Sequence, residues 1–143
     1  MRTQHSEQQK YIAGRQVNLI YGDIHATLYV DMSVGLGGDK WPAAELFCQF
    51  ISDKRWSKAM RSIFGGKRVV ELGSGNALVS IILSKIYQPE VIITTDLESH
   101  IDLMRQNLAL NNVPESVCRA ESLDWNEHAC NKDKYDVILV LEW

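Results

Sequence analysis

The residues with chemical potential in this sequence gather at the ends of short apolar runs. Val69 and Val70 lead into Glu71-Leu72-Gly73-Ser74-Gly75, and an apolar helical stretch follows from Asn76. An apolar run, an acid, a tight glycine turn and a helix start are the grammar of a loop that cradles a nucleotide. Gly73 and Gly75 let the main chain pass against a ligand where a side chain would collide. Two ligand classes share this grammar. A dinucleotide site wants a third glycine three residues after the second, where helix and strand pack closely. That position is Leu78 here. Glu71, just before the turn, suits an amino group, held directly or through water. Acid, turn and helix together point to S-adenosylmethionine rather than NAD, and Leu78 and Glu71 disfavour an NAD-linked oxidoreductase.

Three more run ends carry polar or aromatic groups. Asp96 stands 21 residues after Gly75, at the end of Val91–Thr95, where a carboxylate accepts hydrogen bonds from both ribose hydroxyls. Asp124-Trp125 follows a third run; the indole is placed to stack on adenine and the acid to meet its exocyclic amine. Leu141-Glu142 ends a fourth. Each also has a plainer reading: turn glycines, helix-capping acids, a core tryptophan. Trp41 either lines the ligand site or anchors the leading segment. His25, His100 and His128 are far apart among polar residues and read as surface groups. No HxxxH or CxxH spacing appears, so no metal site is expected. No GxSxG elbow and no P-loop lysine is present.

Positioning these groups requires an alternation of strands and helices. Residues 1–10 read as a flexible tail and 11–66 as a leading segment. Within it, Val17, Leu19 and Tyr21, then Ala26, Leu28 and Val30, alternate as two strands around Tyr21-Gly22-Asp23, which predicts a hairpin. Gly35, Gly37 and Gly38 break the pattern. Pro42 suits the first turn of a helix, and Ala43, Leu46, Phe47, Phe50 and Ile51 recur at helical spacing as its expected buried stripe. Gly65-Gly66 closes the segment. Residues 67–143 form the nucleotide-binding core. Its spacing predicts strands at 68–72, 91–95, 116–120 and 135–141, the last apolar enough to be covered on both faces. Helices are predicted over 76–87, stopped by Pro89, and after Ser99, with Asp102 in capping-box position, up to Asn111-Asn112. Such alternation means a parallel sheet with right-handed crossovers.

The bulk composition is compatible with this. The 143 residues are 45% apolar, enough for one domain with a core. A net charge of −3 gives no electrostatic reason for a nucleic-acid partner. Lys54, Arg55, Lys58, Arg61, Lys67 and Arg68 cluster in sequence and read as a solvated face. Cys48, Cys118 and Cys130 form no CxxC pair, which fits a reduced, cytoplasmic setting. The polar N-terminus is no signal peptide, and no apolar run is long enough to span a bilayer.

Together these residues resemble the class I, seven-strand S-adenosylmethionine-dependent methyltransferases, and more narrowly the family-16 protein lysine methyltransferases of non-histone substrates. The resemblance runs from about Gly38 to the last residue. Gly38-Asp39-Lys40-Trp41-Pro42-Ala43-Ala44 resembles the family's G-x-x-W-x-A-A motif, and Glu71 to Ala77 its E-L-G-x-G-x-G motif with Ala77 in place of the third glycine. Asp96-Leu97 resembles the ribose-binding acid, Leu123-Asp124-Trp125 the L-x-W segment, and Asp136 to Glu142 the D-x-I-L-x-x-[DE] strand. The resemblance implies an α/β Rossmann-like core with Trp41, Gly73, Ser74, Gly75, Asp96, Trp125 and Leu141 around S-adenosylmethionine. It puts Glu142 at the acceptor side, positioning a substrate lysine. It implies a protein partner, with elongation factor 1-alpha as an example, and neither metal nor membrane. It also implies about three further strands after the fourth, which this sequence does not contain. The expectation is an incomplete core whose fourth strand is an apolar edge. The alternative to an active enzyme is a truncated, non-catalytic remnant that binds cofactor or pairs with another chain.

Overall fold

The computed structural model describes residues 14–34, 38–127 and 133–141. The expected tail, Gly35, Gly37, His128, Cys130 and Glu142 lie outside them. An antiparallel hairpin comes first, β1 (Gly14–Tyr21) and β2 (Ile24–Asp31), in register from Gly14↔Asp31 to Tyr21↔Ile24. Gly22 takes the left-handed φ of 59° that this two-residue turn requires. Helix α1 (Pro42–Ser52) begins with Pro42 in its first turn, and α2 (Ser57–Phe64) follows a short 3-10 turn at Lys54–Trp56. The core alternates β3 (Arg68–Leu72), α3 (Leu78–Ile86), β4 (Val91–Asp96), α4 (Glu98–Leu110), β5 (Cys118–Ser122) and β6 (Val137–Val140).

The four core strands pair in parallel in the order β5-β4-β3-β6. This is the α/β, Rossmann-like arrangement that the alternation predicts. Val69, Ile92, Cys118, Ala120 and Leu139 face one side of the sheet, where α3, α4, α1 and the hairpin share a single apolar cluster. Ile81, Ile82 and Leu83 are fully buried there, each worth about 1.5–3 kcal/mol for leaving water. Val70, Val91 and Ile93 form a smaller cluster on the opposite face, with Leu72 and Tyr135 against it.

Two asparagines dock the hairpin onto the core. Asn107 Oδ1 accepts from Tyr29 N at 2.7 Å, and Asn107 Nδ2 donates to Tyr29 O at 3.0 Å. One turn on, Asn111 Oδ1 accepts from Thr27 N at 3.0 Å, and its Nδ2 donates to Thr27 O at 2.7 Å. Four helical residues rise about 6.0 Å and two strand residues about 6.6 Å, so the two periods match. The side chains of α4 thereby serve as a third strand on the free edge of β2.

Several expectations need correction. On α1 the buried residues are Cys48 and Ile51, with Ala44 and Phe47 packed beside them. Leu46 and Phe50 are exposed, because α1 meets α3 through the face one position round. Helix α3 starts two residues late, since Asn76 Oδ1 takes Leu78 N at 3.2 Å and Ala77 adopts a left-handed φ of 69°. Helix α4 starts before Ser99: Leu97 is its N-cap residue, and Asp96 Oδ1 takes the Leu97 amide at 2.7 Å. Ser99 and Asp102 are left on the exposed side. Strand β5 starts at Cys118, because Val117 N and Cys118 N close a turn on Pro114 O. Strand β6 is not covered on both faces: Leu139 is buried, but Ile138 is 66% exposed.

Candidate functional site

The loop after β3 is set by two left-handed glycines, Gly73 (φ 65°) and Gly75 (φ 64°). A Cβ at Gly73 would lie 3.4 Å from the Trp125 ring, an ordinary contact, so it is the left-handed φ rather than lack of space that favours glycine there. Ser74 N donates to Thr95 O at 2.9 Å, tying the loop to β4. Asn76 Nδ2 donates to Asp39 O at 2.8 Å, tying it to the segment that carries Trp41. Asn107 Nδ2 also donates to Asn76 O at 3.0 Å, so the hairpin clamp and the loop share one anchor.

Asp96 sits at the carboxyl end of β4. Its Oδ2 accepts from Gly75 N at 2.8 Å and its Oδ1 from Leu97 N. An ionised carboxylate has about four lone-pair positions, so room remains for hydroxyl donors. His100, one turn along α4, is buried rather than a surface group. The i, i+4 spacing brings its Nδ1 to 3.5 Å from Asp96 Oδ1. Trp125 is 56% exposed, with its ring edge over Gly73. Asp124 Oδ1 accepts from Asn126 N at 2.9 Å, and this turn holds the indole in place. Leu123 N donates to Asp96 O at 2.8 Å, fastening this loop to the end of β4.

These groups enclose an open cavity of ≈ 240 Å³ lined by Gly73, Asp96, Leu97, Leu123, Asp124, Trp125 and Asn126. That is below the about 300–1,000 Å³ of sites enclosing a whole drug-sized ligand, so it seats one end of a ligand. A main-chain floor, an acid wall and an exposed indole suit a nucleoside: hydroxyls to the acid, a flat base to the ring. The cavity lies beyond the carboxyl ends of the parallel strands, where such sheets bind ligands.

The structure thus brings Gly73, Asp96, Asp124 and Trp125 together. Ser74 and Gly75 belong to the loop behind them. Trp41 and Leu141 do not line the cavity. Glu71 faces the interior, only 3% exposed. Ser80 Oγ donates to Glu71 Oε2, and Thr94 Oγ1 lies 3.5 Å from the same oxygen. Thr94 Oγ1 is also 2.6 Å from Ser74 Oγ, which completes a polar chain from the loop to α3. Burial pushes the Glu71 carboxyl up to about 7; the hydroxyl hydrogen bonds oppose this and the charge of Asp96 adds to it. Burial likewise pushes the Cys48 and Cys118 thiols up, with Glu71 adding to the effect, which leaves both unreactive. Asn126, which the sequence does not single out, and Leu97, which it marks only as the neighbour of Asp96, each directly follow an expected site residue. No group of three or more metal-ligating side chains occurs among the described residues. No helix among them is long and apolar enough to cross a membrane.

A family model described as lysine methyltransferase matches residues 23–142. The chain is 31% identical over 102 residues to protein-lysine N-methyltransferase EFM6 of Saccharomyces cerevisiae, covering 65% of this chain and 41% of that protein. It is 27% identical to calmodulin-lysine N-methyltransferase of Arabidopsis thaliana, over 70% of this chain and 33% of that protein. It is 26% identical to EEF1A lysine methyltransferase 3 of Xenopus tropicalis, over 72% and 42%. The chain therefore spans less than half the length of each of these relatives. Among solved structures, M. jannaschii TYW2 in complex with AdoMet superposes with a TM-score of 0.52 at 14% identity, covering 78% of this chain and 42% of that one. The Pyrococcus abyssi tRNA (uracil-54, C5)-methyltransferase in complex with S-adenosyl-L-homocysteine does so at 0.53 and 16% identity, covering 86% and 27%. At such identities these structures share the fold alone.

Proposed function

The chain belongs to the lysine methyltransferase family, and from that premise we propose that it binds S-adenosylmethionine and serves as a protein-lysine N-methyltransferase. Its substrate in this reading is a non-histone protein, with translation elongation factor 1-alpha the first to try because one relative is named for it. The observation that carries the reading is the convergence of Gly73, Asp96 and Trp125 on one cavity at the carboxyl ends of the parallel strands.

S-adenosylmethionine supplies, when bound, a methyl group already activated by its sulfonium. The protein's share is therefore positioning rather than acid-base chemistry. Asp96 would accept the ribose hydroxyls while the Gly75 amide holds its carboxylate in place. Trp125 would stack on the base, and Asp124 would accept from the exocyclic amine. Gly73, Ser74 and Gly75 would carry the main chain past the ligand, and Glu71 would act from behind that loop. Asp39, two residues before Trp41, accepts from Asn76 Nδ2 and so would keep the segment that carries Trp41 close to the loop. Leu141, after β6, would border the cofactor, and Glu142, the next residue in sequence, would stand on the acceptor side, where a carboxylate holds the incoming lysine. A cytoplasmic setting accords with the free, buried Cys48 and Cys118.

A second reading keeps the cofactor site without catalysis, as a module that works with a covering partner; the exposed Ile138 and Val140 on β6 favour it. Calorimetry with S-adenosylmethionine, followed by labelled methyl transfer to elongation factor 1-alpha, separates the two. Binding with transfer supports the enzyme, and binding without transfer supports the module. No binding at millimolar cofactor would overturn both.

A further inference from the structure

A second surface, away from the cavity, has the composition of a docking site. On α1, Leu46 and Phe50 lie one turn apart and point outward. The Phe50 ring meets Trp56 at 5.7 Å between centroids. From Trp56 the pattern continues along the outer side of α2 through Ala59 to Ile63, at spacings of three and four, while Met60 and Phe64 turn inward. Leu46 is 65% exposed and Trp56 46%. Exposed apolar residues scattered singly need no explanation, but a connected row with an aromatic pair at its centre does.

The charge along the second half of the row is mainly positive. Between Lys54 and Arg68 stand six cations and no acid, although the whole chain carries a net −3. Lys54 and Arg55 are each balanced by one acid, Asp23 at 2.8 Å and Asp53 at 2.6 Å, and Arg68 by Glu90 at 4.0 Å, which leaves Lys58, Arg61 and Lys67. Lys58, exposed on the first turn of α2, has no ion pair among the described residues. The row runs toward the amino end of β3, whereas the cavity lies beyond the carboxyl ends, so an occupant leaves the cavity free.

We propose that the outer faces of α1 and α2 form a docking surface for an acidic protein segment that carries apolar side chains at helical spacing. Trp56 and Phe50 are its anchors and Lys58 a charged rim. Nucleic acid fits less well, because Leu46 and Ile63 offer nothing to a phosphate backbone and the chain as a whole is acidic. Rim charges speed encounter and exclude wrong partners, while a central aromatic pair carries affinity.

The test is fluorescence anisotropy with the whole chain and four labelled probes. The first is a peptide with Leu and Phe at helical spacing among glutamates. The others are the same peptide with lysines for glutamates, a glutamate-serine peptide without apolar residues, and a short single-stranded DNA. The first should bind tightest. Ile63→Glu should weaken it about tenfold or more, and Lys58→Glu by a few-fold at low salt. Both residues are exposed, so neither change should disturb folding, and S-adenosylmethionine binding should be unaffected by either. The proposal is overturned if the first peptide does not bind, if Ile63→Glu leaves its binding unchanged, or if the lysine peptide or the DNA binds more tightly.

Discussion

Glu71 and Asp96 end neighbouring parallel strands, each followed by the turn into a helix, yet they inhabit opposite environments. Glu71 is sealed under α3 and held by Ser80 and Thr94. Asp96 lines an open cavity and is held by main-chain amides. The sheet register explains the difference. Glu71 is level with Thr94, so Asp96 lies two residues, about 6.6 Å, further toward the carboxyl edge, level with Gly73. An acid at that depth faces the open cavity; one a step lower meets only protein. In the proposed reading Glu71 governs how firmly the loop is built, and Asp96 what the loop receives.

The strongest challenge to this division is Asp96→Ala, which removes two charge-assisted acceptors. Cofactor affinity should fall by about 3 kcal/mol or more, over a hundredfold, in calorimetry; unchanged affinity would refute the ribose role. Glu71→Gln should give the mirror image. Below about pH 4.5 the Glu71 carboxyl is protonated in both folded and unfolded chains. Between there and about 7 only the folded chain keeps the proton, so stability falls as pH rises, then levels off. Glutamine abolishes that slope and should add about 3 kcal/mol at pH 8 with no gain at pH 4. Denaturant unfolding at the two pH values reads this directly, and a slope that survives in the variant would assign it to another group. Cofactor affinity should change little.

A smaller effect is expected of Trp125→Ala. Loss of base stacking should weaken cofactor by about 1–3 kcal/mol, while the melting temperature stays put because the ring is largely solvated. A drop in melting temperature with unchanged affinity would make Trp125 a packing residue. The smallest effect belongs to Ala77→Gly. Relief of the left-handed φ is worth about 1 kcal/mol, and the buried methyl it removes about 0.8 kcal/mol. The two nearly cancel, so a thermal melt should show little net change.

This contrast also marks what the sequence makes legible. Strand-turn-helix punctuation identifies β3, α3 and β4 and the acids that end the strands, because glycines and β-branched runs act locally. It cannot assign depth, since the pairing of Glu71 with Thr94 is a property of two strands at once. The outward turn of Leu46 and Phe50 was hidden for a related reason. A helical period allows adjacent faces, and only the position of α3 chooses between them. Nothing local marks Asn107 and Asn111 either, because their partners on β2 lie 78 and 84 residues away. His100 looked like a surface histidine until Asp96, one turn earlier, fixed which side of α4 faces the strand ends.

The asparagine clamp has a kinetic meaning. A hairpin edge ordinarily trades its amide protons with solvent whenever it frays. Here the Thr27 and Tyr29 amides are covered by side chains of a helix in the core. Their exchange with deuterium should therefore follow the opening of α4 rather than fraying of the hairpin, so two amides near the start of the chain time the loosening of its interior.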